Sequence, residues 1–225
     1  MSGPLVSCLM PTWNRREFVG AAIDCFLRQT YEPRELVIMD DGKPIEDLVP
    51  ADPRIRYFRL AKKMVTGPKR NRCCELAKGE ILCHFDDDDW SADDRIEHQV
   101  GLLEESGRPI AGYGVLYFWD TARLEAKLYK SATPGYVCGT SLCFLKSYWK
   151  QHPFPDRQIA SDNAFIYPAA YRKLTACSQD ASRMVARLHG RHTSSKGNIR
   201  QVVARELIPE GFWRNEEVRL ARCRG

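Results

Sequence analysis

The sequence predicts an α/β protein: a mainly parallel, twisted sheet with helices on both faces, followed by a less regular second half. Three observations predict it. Short apolar runs of strand length recur through the first half, stretches of helical periodicity lie between them, and turn signals rich in Asp, Gly and Pro separate the two. Strand, helix, strand in repetition implies parallel pairing with the helices packed on the sheet.

Each element has its own signal. LVSCLM (5–10) reads as a buried strand stopped by Pro11. A helix is expected from about Arg15, with Asn14 as its N-cap, because Phe18, Ala22, Ile23, Phe26 and Leu27 recur at helical spacing. ELVIM (35–39) is a second strand that runs into the turn signal DDG, and IRYFRL (55–60) is a third. GPKRNRCCELAKG places Pro68 at a helix start and Gly79 just beyond the end. EILCHF (80–85) is the fourth strand, and it delivers the chain to Asp86, Asp87, Asp88, Asp89 and Trp90. In the second half GYGVLYFW and TSLCFL read as strands, SDNAFIYPAAYRK as a short helix, and RMVARLHGRHTSSKGN as a strand entering a polar loop. No repeat or low-complexity linker divides the chain. The expected organisation is one domain over 1–198, with a basic helical extension over 199–225.

Composition bounds the function. With 44% hydrophobic residues in 225 positions, the chain can bury a substantial core. No apolar run approaches the ~20 residues that cross a bilayer, so a soluble protein without a transmembrane segment is expected. The nine cysteines are odd in number and lack C-x-x-C spacing; reduced thiols in a cytoplasmic protein are the better reading than disulfides or zinc. Residues 187–225 hold nine Lys and Arg against four Asp and Glu, a surplus equal to the whole chain's +5. That is either a solvated face or a landing surface for a polyanion.

Four adjacent carboxylates repel one another and make no core. Ligands of open α/β sheets bind beyond the carboxyl ends of the strands, where both DDG (40–42) and DDDD (86–89) fall. Clustered carboxylates there suit a hard divalent cation, Mg2+ or Mn2+. The alternating D-x-D-x-D-G spacing of a calcium loop is absent.

PTWN, DDG, GPKRNRCCELAKGEILCHFDDDDW and SDNAFIY, in that order, resemble a family 2 glycosyltransferase with the Rossmann-like GT-A fold, inverting and dependent on a nucleotide sugar. The similarity is clear over 5–94 and fainter to about 198. It implies a nucleotide-sugar half over about 1–95 and an acceptor half over about 96–198. It implies, too, that Pro11, Thr12 and Asn14 form the first loop around the nucleotide and that Asp40 accepts a hydrogen bond from the base, usually uracil. Arg70 and Asn71 match an element near the nucleotide. Asp86 would contact the ribose or sugar, with Asp87 the alternative because the uniform run permits a slip of one. Asp88 would bind the metal that bridges the diphosphate, and Asp89 would orient its neighbours or the donor sugar. Asp162 matches the general base, with Ser161 where glutamate is often found. LHGRHTSS resembles an element whose histidine completes the metal shell, and His189 fits it better than His192.

The default acceptor implied is a glycan. A second reading is glycosylation of hydroxymethylated pyrimidines in DNA, with Lys196, Arg200 and Arg205 holding the phosphates. A sugar nucleotidyltransferase is disfavoured because MPTWNRR lacks the glycines of a phosphate loop. A non-catalytic binding module is disfavoured by the intact Asp86, Asp88 and Asp162.

Overall fold

A computed structural model describes residues 3–190, 199 and 201–223. In chain order the elements are β1 (Val6–Thr12), α1 (Arg16–Leu27), β2 (Arg34–Asp40), β3 (Ile55–Arg59), α2 (Thr66–Leu76), β4 (Ile81–His84), β5 (Trp90–Ser91) and α3 (Arg95–Ser106). They continue with β6 (Ile110–Tyr113), β7 (Val115–Asp120), β8 (Glu125–Lys130), β9 (Cys143–Leu145), α4 (Lys146–Gln151), α5 (Ser161–Tyr171), β10 (Thr175–Ser178), β11 (Met184–Leu188), β12 (Gln201–Val203) and α6 (Glu210–Arg222).

The main sheet runs β10-β6-β9-β4-β1-β2-β3. Its strands are parallel except β9, which lies antiparallel between β4 and β6. A second sheet, β12-β8-β7-β11-β5, stands beyond the acidic loop and carries β5 at its edge.

Alternation along β1 explains why helices cover both faces. Val6, Cys8 and Met10 join a core with Val19, Ile23 and Phe26 of α1 and Ile96, Val100 and Leu103 of α3. Leu9 points the other way, into a core with Cys73 and Cys74 of α2 and Phe165 and Ile166 of α5. Burying an aliphatic side chain of this size stabilises by roughly 1.5–3 kcal/mol. The two-sided apolar strand is therefore the central commitment of the fold.

Departures from the expected elements have local causes. β1 continues through Pro11 to Thr12. The Leu9 carbonyl accepts from Phe85 N at 2.9 Å, so alternate residues of β1 present their backbone to β4; at Pro11 that strand has ended, and the missing N–H leaves no gap in the ladder. Asn14 is not the helix cap. It sits at φ 52°, and its side-chain oxygen accepts from Lys43 N at 2.8 Å, tying the β1 loop to the β2 loop, while α1 starts after Arg15 without a side-chain cap. Gly42 is needed where these loops meet, since a Cβ there would press on the Asn14 backbone. GYGVLYFW breaks at Gly114 into strands of two different sheets. Only the end of TSLCFL is a strand, because Gly139–Ser141 forms a 3-10 turn. Among the described residues, no helix is long and apolar enough to cross a membrane.

Candidate active site at the carboxyl edge of the parallel strands

Parallel neighbours end on the same edge of the sheet, so the loops after β1, β2 and β4 meet there. They enclose a cleft of about 250 Å³. Pro11, Thr12, Trp13 and Arg15 line it from the first loop, Asp41 from the second, Asp86 and Asp87 from the third, and Lys69 and Arg70 from α2. Thr66 lines it from the start of α2 and Gln158 from the segment before α5.

The acidic loop is buried rather than displayed. Asp87, Asp88 and Asp89 are nearly inaccessible, while Asp86 is half-buried on the cleft wall. Burying carboxylates costs several kcal/mol each unless cations and hydrogen bonds compensate. Arg15 Nη1 compensates first, at 2.8 Å from Asp87 Oδ1 and 2.6 Å from Asp88 Oδ2. His189 Nε2 lies 2.8 Å from the same Asp88 oxygen. Burial pushes Asp88 upward, but the His189 hydrogen bond and the Arg15 charge outweigh it and hold the carboxyl below its ordinary range. Asp87 is pushed up to about 6 by burial, with the Asp88 charge adding to it. Asp89 is pushed up to about 8 by burial and by the charges of Asp88 and Asp86. Thr140 Oγ1 and Arg187 N both donate to Asp89, which fixes its orientation.

Two buried guanidinium groups anchor the loop. Arg95 donates to the His84 carbonyl at 2.7 Å and to Ser91 Oγ at 2.9 Å, joining the two ends of the loop. Arg187 donates to the Asp88 carbonyl at 2.9 Å. Neither residue stood out in the sequence as a candidate, since an isolated arginine carries no spacing signal.

Other residues singled out from sequence separate into those on the cleft and those off it. Arg70 is on it, with Nη1 3.0 Å from Ser161 Oγ and 3.9 Å from Asp162 Oδ1. Asn71, one position on around α2, faces elsewhere: its amide bonds Trp149 Nε1 at 2.9 Å and the Phe154 backbone at 2.8 and 2.9 Å. Asp40 is off the cleft and buried, accepting from Tyr57 Oη at 2.7 Å, Arg59 Nη1 at 3.0 Å and Gly42 N at 2.7 Å. Its neighbour Asp41 lines the cleft instead, paired with Lys69 Nζ at 2.5 Å. Lys69 Nζ also donates to the Thr12 carbonyl at 2.6 Å, so one buried ammonium joins the first two loops. Trp13 is 45% exposed on the rim, with Lys63 Nζ 3.4 Å from its ring centroid. Asp41 was legible as the second residue of DDG, and Trp13 as the aromatic of PTWN.

Asp162 stands in the first turn of α5 with a side chain 26% exposed. It packs so closely on the 3-10 turn that a Cβ at Gly139 would collide with its carboxylate. Beneath it, His84 Nδ1 lies 2.8 Å from the Gly139 carbonyl, and burial together with the Arg70 charge drives His84 down to about 3. His84 is thus a neutral support for the turn that holds Asp162.

Among the described residues of the basic C-terminal region, Arg187 and Arg219 are buried, while Arg214 and Arg222 form their pairs at the surface. Arg187 and Arg219 both pair with Glu216, Arg214 with Glu210, and Arg222 with Asp24. Arg205 lies over the Trp213 ring at 4.1 Å and the Trp119 ring at 5.6 Å. Lys196, Arg200 and His192 fall outside the described residues.

The residues present fit a divalent cation. Asp86, Asp88 and Asp89 each offer a carboxylate oxygen, and these oxygens lie within 4.8 Å of one another. The donors are all hard, which favours Mg2+ or Mn2+ over softer ions.

The Glycosyl transferase family 2 model matches residues 7–164. A putative colanic acid biosynthesis glycosyl transferase of Escherichia coli K12, WcaA, is 38% identical over 97 residues, which is 40% of this chain and 35% of that protein. An uncharacterized glycosyltransferase of Haemophilus influenzae is 29% identical over 134 residues, 57% of this chain and 53% of its own length. The chain thus spans about half or less of the length of these relatives. Among solved structures, S. aureus TarS 1–349 in complex with UDP-GlcNAc is similar with a TM-score of 0.66 at 16% identity, covering 87% of this chain and 61% of that one. The mannosyltransferase PcManGT from Pyrobaculum calidifontis, in complex with GDP-Man and Mn2+, gives 0.62 at 14% identity, with 87% and 59% covered. These likenesses establish a GT-A fold. With a family match across most of its length, and with the acidic loop at the end of a central parallel strand, the chain belongs to glycosyl transferase family 2.

Proposed function

We propose that the protein transfers a sugar from a nucleoside diphosphate sugar to an acceptor hydroxyl, with a divalent cation bound at the acidic loop. The single observation that carries this reading is the composition of the cleft: carboxylates on one wall with Arg15, Lys69 and Arg70 around them, and Asp162 just outside the lining, 3.9 Å from Arg70. Structural relatives crystallised with UDP-GlcNAc and with GDP-Man and Mn2+ support the donor class.

When bound, the cation neutralises charge on the departing diphosphate. This chain's own residues do the rest. Asp86, Asp88 and Asp89 would hold the cation, with Asp89 oriented by Thr140 and Arg187 and Asp88 steadied by His189. The exposed Trp13 indole offers a stacking face for the base, and Asp41 rather than Asp40 is the carboxylate beside it. Asp162 takes the proton of the acceptor hydroxyl as its oxygen bonds the anomeric carbon and the bond from that carbon to the diphosphate oxygen breaks. One in-line displacement of this kind inverts the anomeric centre and needs no enzyme nucleophile.

A glycan is the acceptor this reading adopts, in keeping with the relative named for colanic acid biosynthesis. Arg187 and Arg219, buried against Glu216, are withdrawn from any surface that could hold DNA, which weakens the support that charge alone gave to that acceptor. Nine free thiols, seven of them buried, accord with a reducing cytoplasmic setting. The test is a thermal-shift screen of nucleotide sugars with Mn2+, followed by mass spectrometry of products on candidate glycans and on hydroxymethylated DNA. Stabilisation by a UDP- or GDP-sugar and a mass gain of one sugar on a glycan is the expected result; product on DNA alone would replace the acceptor.

The close seat of Asp162 gives a sharper expectation. Gly139→Ala must displace the carboxylate or the turn, so turnover should fall by about tenfold or more while nucleotide affinity stays within about threefold. Equal loss of both, read from separate kcat and KM values, would mean that the turn supports the whole cleft instead.

A further inference from the structure

We infer that α6, which lies beyond the residues matched by the family model, is a positioning element of the acidic loop and acts on it through Arg187. The inference rests on the reading of that loop as the metal and donor site.

Arg187 is 3% exposed, and its guanidinium is divided between the acidic loop and α6. On the loop side Nη1 donates to the Asp88 carbonyl at 2.9 Å, and the Arg187 backbone N–H reaches Asp89 Oδ1 at 3.1 Å. On the α6 side Nε donates to Glu216 Oε2 at 2.7 Å and Nη2 to Asn215 Oδ1 at 2.9 Å, while the guanidinium carbon lies 4.9 Å from the Phe212 ring centroid. Two residues on, His189 reaches the Asp88 side chain. The end of β11 therefore grips Asp88 by backbone and carboxylate together.

α6 fixes that grip to the main sheet. Asn215 Nδ2 donates to the Ala21 carbonyl of α1 at 3.0 Å, so a continuous line of hydrogen bonds runs from α1 through Asn215 and Arg187 to the Asp88 backbone. Glu216 supplies the counter-charge that a buried guanidinium requires, and Arg219 holds it from the other side at 2.9 and 2.5 Å. Burial would push the Glu216 carboxyl upward, but Arg219 and Arg187 keep it below its ordinary range. Losing Glu216 would leave Arg187 buried without its carboxylate, and the cheapest relief is for the guanidinium to move. The Asp88 carbonyl would then lose its donor.

The test compares Glu216→Ala and Glu216→Gln with Glu210→Ala, a control at the exposed pair with Arg214. Hydrogen–deuterium exchange by mass spectrometry reads the loop directly, without metal or activity. Exchange over residues 85–91 should quicken by about tenfold or more in Glu216→Ala, less in Glu216→Gln, and not in the control, with β2 and β3 peptides unchanged. Manganese titration followed by electron paramagnetic resonance in the presence of UDP should show affinity weakened by about 10- to 100-fold, the range for groups that orient metal ligands. Unchanged exchange at 85–91, or equal quickening everywhere, would overturn the inference and leave α6 a packing element only. Selective quickening with no manganese binding even in the wild type would uphold the coupling and instead sink the metal reading.

Discussion

Asp162→Asn is expected to cut turnover by about 10²-fold or more while leaving UDP affinity within about threefold. The substitution is nearly isosteric. It keeps the hydrogen bond that Asn163 N donates to Oδ1 at 3.0 Å, and the side chain keeps its seat against Gly139. What it removes is the ability to take a proton. A neutral amide beside Arg70 also loses the attraction across 3.9 Å, but Arg70 retains Ser161 Oγ at 3.0 Å and need not leave the cleft. A fall in kcat with KM for the donor nearly unchanged is the signature to seek in steady-state kinetics. Near-normal turnover would move the base elsewhere, with Asp156 and Asp180 next to be substituted.

The second large effect is expected at Asp88. Asp88→Asn should weaken metal-dependent UDP binding by about 100-fold or more, because a neutral amide replaces one of three carboxylates converging within 4.8 Å. Arg15 makes this variant informative in a second way. Its guanidinium bridges Asp87 and Asp88, and although burial opposes the charged form, these two carboxylates hold it above its ordinary pKa. Removing the Asp88 charge loosens that bridge, so nucleotide binding without metal should change far less than binding with it. Isothermal titration of the wild type and of Asp88→Asn with UDP, in Mn2+ and in EDTA, separates the two contributions. Equal weakening in the two buffers would indicate a collapsed loop rather than a lost ligand.

Much of the N-terminal half of this fold was legible because its signals are local. Apolar runs at the expected positions became β1, β2 and β4, and the helical spacing of Phe18, Ala22, Ile23 and Phe26 became α1. The placement of DDDD at a strand end followed from the run EILCHF alone, and the start of α5 at Ser161 put Asp162 in a first turn. Asp40 illustrates where such reasoning stops. A strand that ends at Asp40 instead of Met39 turns that carboxylate to the side of Tyr57 and leaves Asp41 to face the cleft, and no pattern in DDG fixes that single residue. The C-terminal charge illustrates a different limit. A surplus counted along the chain says nothing of pairing, and Glu216 satisfies both Arg187, distant in sequence, and Arg219, one turn away. Arg15, Arg95 and Arg187 were beyond sequence reasoning for the same reason: each matters through partners supplied by tertiary structure.

The central claim is that the cleft binds a nucleoside diphosphate through a cation held by the acidic loop, and calorimetric titration of the wild-type protein with UDP and with GDP tests it most directly. At least one of the two should bind in Mn2+ or Mg2+ and lose about 100-fold or more in affinity in EDTA, since a diphosphate beside buried carboxylates is repelled without the cation. Equal affinity with and without the metal, or no binding of either nucleotide in its presence, would contradict the account.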